Sequence, residues 1–282
     1  MDTMTERLSV IIVTFDSARH VGACLQALRD ASPRLAHDIL IVDNASTDDT
    51  ISVLARDWPG LRVVRNAVNL GFGAAANRGI RETTGDRLLL LNPDARVTAG
   101  AIDRLLTVLD ADPSVAIAGP RLVDDAGHAE VSYGRHIGPL AELGQKLRVR
   151  AQESRWPVVA GWIERQSHTA RFPDWVSGAC WVARREVLDR VGLFDERFFL
   201  YTEDVDLCAR VRGAGYRVAF VPDAMVRHTR GASRAGVPDA SNAHYRRSHV
   251  AFYEKHHPGW APLLRTYLKL KGALPDTTKQ AP

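Results

Sequence analysis

Through its first 112 residues the chain alternates short apolar runs with longer amphipathic stretches. LSVIIVTF (8–15), DILIVDN (38–44), LRVVRN (61–66) and RLLLLN (87–92) predict four strands. ACLQALRDA (23–31), the segment from STDDTISVLARD, GAAANRGIRET (73–83) and AGAIDRLLTVLDAD (99–112) predict the helices between them. Continuous apolar strands separated by helices imply a mostly parallel sheet covered on both faces. The pattern lapses over 113–175, which reads as an insertion or loop-rich subdomain containing the basic stretch KLRVRAQESR. It recovers at WVSGACWVARREVLDRVG, a strand running into a helix, then predicts a helix near 203–213, with Gly215 past its end, and a strand at 216–221. From about 234 the chain reads as a helical tail.

Ligands of open α/β sheets bind beyond the carboxyl ends of the strands. There the four strands deliver Thr14 and Asp16, Asp43 and Asn44, Asn66 and Asn69, then Asn92 and Asp94. Asn, Pro and Asp also favour turns for backbone reasons, so Asn92-Pro93-Asp94 alone decides nothing. Oxygen-bearing side chains from four strands on one edge argue for a site.

In YTEDVDLCARVRGAG the apolar stripe is Leu207, Cys208 and Val211, and Asp204 shares its face. A carboxylate there is costly to bury unless paired, hydrogen-bonded or employed. Glu203 and Asp204 could simply complement the helix N-terminus. Asp206 has Arg210 four residues on and reads as half of a surface pair. As a general base, Asp204 fits better than Glu203 because of its face. Two acidic positions, Asp94 and Asp204, near an anionic ligand call for a cation between some of them. His228, in VPDAMVRHTRGAS, is a candidate imidazole, although a lone histidine is more often a surface or core residue.

Composition narrows the class. The 282 residues carry a net charge of +4, and the apolar runs are too short to span a bilayer. No secretory leader is evident, and Cys24, Cys180 and Cys208 lack zinc or disulfide spacing, so the expected setting is cytoplasmic. No GxGxxG follows the first strand, which argues against a dinucleotide-binding dehydrogenase. VTFDSARHVG lacks the basic glycine-rich loop a sugar nucleotidyltransferase needs. No nucleic-acid reading motif accompanies the basic tail.

The motifs VIIVTFDS, ILIVDNASTDDT, NLGFGAAANRGI, LLLLNPDA, the block VSGACWVARREVLDRVGLFDERFFLYTEDVDLCARVRGAGYRVAFVP and VRH span about residues 8–233. In that order the chain resembles the family 2 inverting glycosyltransferases, and its NPD and FDERFFLYTEDVDLCAR versions resemble the rhamnosyltransferase-like subgroup. The resemblance implies a GT-A fold over 1–233, with 234–282 as the tail. It assigns Thr14 and Phe15 to the nucleobase pocket and Asp43 to the base itself. Asn77 would lie along the donor nucleotide. Asp94 matches the last aspartate of the DXD motif, with Asn92 in place of the first, and would hold Mg2+ or Mn2+ with His228. Asp204 matches the catalytic base, with Glu203 beside it. Ala76 stands where many relatives have arginine.

The implied reaction is one displacement at the anomeric carbon of a nucleotide-sugar. The subgroup points to dTDP-L-rhamnose, with UDP- and GDP-sugars open, and to a glycan or polyprenyl-linked glycan acceptor. A non-catalytic nucleotide- or glycan-binding module of the same fold would be expected to lack Asp94 or Asp204. Residues 244–271 hold six Lys or Arg against one Glu. In GWAPLLRTYLKLKG, Trp260, Leu263, Leu264, Tyr267 and Leu268 share one helical face. That face suits either a peripheral contact with the inner face of a membrane or packing back on the domain.

Overall fold

The computed structural model describes residues 6–135, 138, 144, 161, 164–229 and 238–274. The basic stretch 146–155 lies outside them. An eight-stranded sheet, of order β3-β2-β1-β4-β9-β6-β10-β5, forms the centre. Its strands are β1 (Leu8–Thr14), β2 (His37–Asp43), β3 (Arg62–Arg65), β4 (Arg87–Leu91), β5 (Ala95–Val97), β6 (Val115–Val123), β9 (Cys180–Arg184) and β10 (Arg217–His228). β7 (Tyr133–Gly134) and β8 (Trp175–Val176) make a separate two-stranded ribbon. β1 to β4 pair in parallel, as does β6 with β10, whereas β9 runs antiparallel to both its neighbours.

The sheet is buried on both faces, which is why its strands read as unbroken apolar runs. Successive strand residues point to opposite sides. Leu8, Val10 and Ile12 meet one layer, formed by α1 (Val21–Ala31), α2 (Thr50–Asp57) and α4 (Ala101–Ala111). Ile11 and Val13 meet the other, formed by α3 (Phe72–Arg81), α5 (Arg185–Val191) and α6 (Glu203–Gly213). The three cysteines are free and buried.

Two expectations change. β6, inside the segment read as irregular, is an inner strand between β9 and β10. Pro120 disguised it, because proline lacks a ladder donor and ordinarily marks an edge or a bulge; here it stands where the β6–β10 register shifts. The described part of the tail, α7 (Pro238–His256) and α8 (Ala261–Leu270), packs Phe252, Tyr253 and Ala261 into the same core as α3 and α6. Asp206, expected at the surface, is consequently fully buried. Its Arg210 partner is there at 2.8 Å, but α7 adds Lys255 Nζ and His256 Nε2, each at 2.7 Å.

Candidate active site

The strand ends do gather at one edge, but they divide into residues that brace and residues that are presented. Asn44 is a brace. Its amide donates to Asn69 Oδ1 and to the Gly71 carbonyl, while its own oxygen accepts from Asn66 and from the Leu70 amide. Those bonds fix the glycine-rich turn ahead of α3. Gly71 sits at φ +84°, and a β-carbon there would lie 2.3 Å from the Phe199 carbonyl oxygen. The turn therefore docks backbone to backbone on the segment leading into α6, with Phe72 N–H donating to that oxygen at 2.9 Å.

Three residues expected to touch a donor are internal. Asp43 is fully buried, its carboxylate accepting from Thr14 Oγ1 at 3.2 Å and from Ser46 N–H at 3.3 Å. Arg65 lies 3.6 Å from it on the solvent side. Thr14 is equally buried, so the pair ties the end of β1 to the end of β2. Asn77 spends its side chain on the loop before α6. It accepts from Phe194 N–H and donates to Phe194 O and Glu196 Oε1, each at 2.9 Å. Phe15, by contrast, keeps 42% of its surface exposed at the end of β1.

Asp94 and His228 come together. β10 pairs with β5 so that His228 lies opposite Ala95, which sets His228 Nε2 3.4 Å from Asp94 Oδ1. The other ring nitrogen faces Glu130 Oε2 at 3.2 Å. Burial alone would push this imidazole down; the bonds to Asp94 and Glu130 outweigh it and raise it to about 9. Glu130 is the residue sequence reasoning missed. Nothing marks a single Glu after GH, and its place arises because a turn folds it back onto β6, with Glu130 N–H donating to the Leu122 carbonyl.

Among the described residues no group of three or more His, Cys, Asp or Glu is arranged to hold a metal ion. Asp94 and His228 form a two-donor set, oxygen plus imidazole, with Glu130 orienting the ring from behind as carboxylates do at metal-ligating histidines. Asn92 Oδ1, two residues from Asp94, is buried and has no hydrogen-bond partner among the described residues. Such a set fits a small divalent cation whose other ligands are water and phosphate oxygens. A pocket beside Asp94 is lined by Arg19, His20, Arg96, Asp125 and Thr229; within it Arg96 pairs with Asp125, which also accepts from Thr229 Oγ1.

The acidic helix enters under strain. Tyr201 and Thr202 both have positive φ, +68° and +65°, sparsely populated for any side chain and most costly for β-branched threonine. They turn the chain so that α6 opens with Glu203 and Asp204. Glu203 is buried, and its Oε2 has no hydrogen-bond partner among the described residues. Asp204 is half-buried; Oδ2 accepts from Gly178 N–H and Oδ1 from Val205 N–H, each at 2.8 Å. Burial raises both carboxyls above their ordinary values, and for Glu203 the neighbouring Asp204 charge adds to the effect.

The segment 178–179 links the two acidic centres. Ala179 O accepts from Asn92 N–H at 2.8 Å, and Gly178 N–H binds Asp204. Asp94 and Asp204 therefore flank one short stretch of backbone.

The sheet and the helices on its two faces make a GT-A architecture. The chain belongs to the glycosyltransferase-like family 2, whose model matches residues 6–251, and is a glycosyltransferase. A Mycobacterium tuberculosis N-acetylglucosaminyl-diphospho-decaprenol L-rhamnosyltransferase is 33% identical to it over 285 residues, 96% of this chain and 91% of that protein. The dTDP-rhamnosyl transferase RfbF of Shigella flexneri is 24% identical over 232 residues, covering 81% of this chain and 71% of that one. The mannosyltransferase PcManGT from Pyrobaculum calidifontis, solved with GDP-Man and Mn2+, shares the fold. It superposes with a TM-score of 0.61 at 21% identity, covering 95% of this chain and 70% of that one.

Proposed function

We propose that the protein transfers an L-rhamnosyl group from dTDP-rhamnose, with inversion, to a hydroxyl of a polyprenyl-diphosphate-linked glycan. The observation that carries the mechanism is the 178–179 segment, which holds Asp204 on one side and the Asp94 turn on the other. The choice of sugar and acceptor is supported by the rhamnosyltransferase relatives. An acceptor of that kind is anchored in a membrane, which places the work at a membrane face.

Asp204 acts as general base. It is partly exposed, where Glu203 is buried, so an acceptor hydroxyl can reach it. Two backbone N–H donors orient the carboxylate, while burial moves it toward a pKa that can take a proton and later release it. Glu203 is buried beside it, and burial together with the Asp204 charge holds the Glu203 carboxyl above its ordinary value. Asp94 and His228 are the residues that would hold a divalent cation, Mg2+ or Mn2+, and such a cation would supply charge neutralisation for the leaving diphosphate. Arg19, which lines the pocket beside Asp94, adds cationic reach there. The exposed Phe15 ring offers the nucleobase a stacking face. Displacement at the anomeric carbon by the deprotonating hydroxyl inverts that centre in one step.

Calorimetric titration with dTDP, UDP and GDP, each with and without Mn2+, tests the donor site. The expected result is a preference for dTDP that requires both Mn2+ and Asp94, lost in Asp94→Ala. A preference for UDP or GDP would keep the transferase and discard rhamnose. Transfer from dTDP-rhamnose to N-acetylglucosaminyl-diphospho-polyprenol, abolished by Asp204→Asn, completes the test.

A further inference from the structure

Helix α8 is apolar on two sides. Ala261, Leu264 and Leu268 face the core. On the other side Trp260, Leu263, Tyr267 and Leu270 stand out at 52%, 61%, 51% and 83% exposed. Their spacing of three, four and three makes one continuous stripe. An apolar stripe of this kind on a water-facing helix marks an interaction surface.

The charge on α8 selects the partner. Residues 261–272 carry Arg265, Lys269 and Lys271 and no acidic residue. Arg265 is paired with Glu254. Lys269 and Lys271 have no acidic partner among the described residues, and the Lys271 ammonium lies 5.1 Å from the centroid of the Tyr267 ring. A second copy of the chain docking stripe to stripe would bring like charges together. Leucine flanked by tryptophan, tyrosine and lysine is the chemistry of an interfacial helix on anionic lipid. Ten residues span about 15 Å, enough to lie in a membrane face and too little to cross it.

We propose that the outward face of α8 is a foot that rests the enzyme on an anionic lipid surface; its purpose, though not its binding, rests on the lipid-linked acceptor reading. The foot is rigidly joined to the site. α7 carries Lys255 and His256 to Asp206, two residues from Asp204, and Ser248 Oγ donates to Leu200 O at 2.7 Å. A lipid plane under α8 is thus held at a fixed position relative to the acidic helix, as a membrane-anchored acceptor requires.

Vesicle flotation of the full chain tests this, using phosphatidylcholine vesicles with and without one-third phosphatidylglycerol. The wild type should float with the anionic vesicles, less as salt rises. Leu263→Asp/Leu270→Asp and Lys269→Glu/Lys271→Glu should each weaken binding by roughly tenfold or more, with unchanged circular dichroism. Wild type that floats with neither vesicle, or variants that float as well as wild type, overturn the foot. So does size-exclusion showing that Leu263→Asp/Leu270→Asp merely turns a dimer into a monomer. Transfer to a short, water-soluble acceptor should be the same in these variants and wild type. Its absence in every form, with flotation intact, would sink the transferase reading and leave the foot standing.

Discussion

The backbone N–H of Gly178 donates to Oδ2 of Asp204 at 2.8 Å, and a β-carbon at position 178 would lie 3.3 Å from the Asp204 β-carbon and 3.4 Å from that oxygen. A methyl group at position 178 would crowd the carboxylate that this N–H aims. Gly178→Ala should displace Asp204 by a few tenths of an ångström and lower kcat about tenfold, with KM for the donor nearly unchanged. Steady-state kinetics with the lipid-linked acceptor decide it. An unaltered kcat would mean that Asp204 is not the group being aimed.

Glu203 and Asp204 should separate cleanly. Asp204→Asn removes the base and should cost about 10²–10⁴ in kcat, whereas Glu203→Gln should stay within about threefold because it leaves Asp204 in place. Glu203 also carries a stability signature. Its carboxyl is raised above 4.5 by burial and then by the Asp204 charge, so the folded state holds that proton more tightly than the unfolded chain. That contribution is present below the unfolded value and is lost as pH rises through the folded one. Glu203→Gln has no such proton to lose. The difference in Tm between variant and wild type should therefore move in the variant's favour as pH climbs above about 4.5, and a constant difference would contradict the assignment.

His228 carries a second pH signature of the same sign, at higher pH. Held near 9 by Asp94 and Glu130 against the effect of burial, it contributes stability that is complete below about 6.5 and declines as pH rises through 9. Glu130→Gln should bring the imidazole back toward its ordinary value. The expected stability cost is on the order of 1–2 kcal/mol at pH 6, shrinking above pH 9. NMR titration of the ring protons in metal-free protein reads the pKa directly. A wild-type imidazole already neutral at pH 7.5 would contradict the Asp94–His228–Glu130 geometry.

What the sequence revealed depended on how local the cause was. Buried strands read as LSVIIVTF and RLLLL because both faces are covered, and the polar residues past them fell at one edge by topology. Asp94 was a candidate for that reason, Asp204 for the helical face it shares with Leu207 and Cys208, and His228 chiefly for its place in the motif order. Glu130 was not, because its role exists only once a turn after β6 lies beside the end of β10. The fully buried state of Asp43 and the loop-pinning role of Asn77 also depend on partners distant in the chain, Thr14 and Phe194. Along the tail, helical period found the apolar residues of α8, but their division into an inner and an outer stripe needed the position of the core.

Asp206 shows how much a distant segment can change a residue's meaning. Its carboxylate has no solvent contact and accepts from Arg210 on its own helix and from Lys255 and His256 on α7. Asp206→Ala takes this shared acceptor from all three groups. Lys255 keeps Asp195, whose carboxyl Arg197 and Lys255 hold well below the usual range despite burial. Arg210 keeps the carbonyls of Val191 and Leu193. Losing one partner of a buried ion cluster costs about 3 kcal/mol, far more than a surface pair four residues apart. Urea unfolding should show that loss with the m-value unchanged, and Lys255→Met should cost less because Arg210 and His256 still satisfy Asp206. Below the unfolding transition, dTDP affinity should be retained, since Asp206 touches neither Asp94 nor Phe15. A cost under about 1 kcal/mol would mean that the cluster is solvated and that α7 is held to the acidic helix by its apolar face alone.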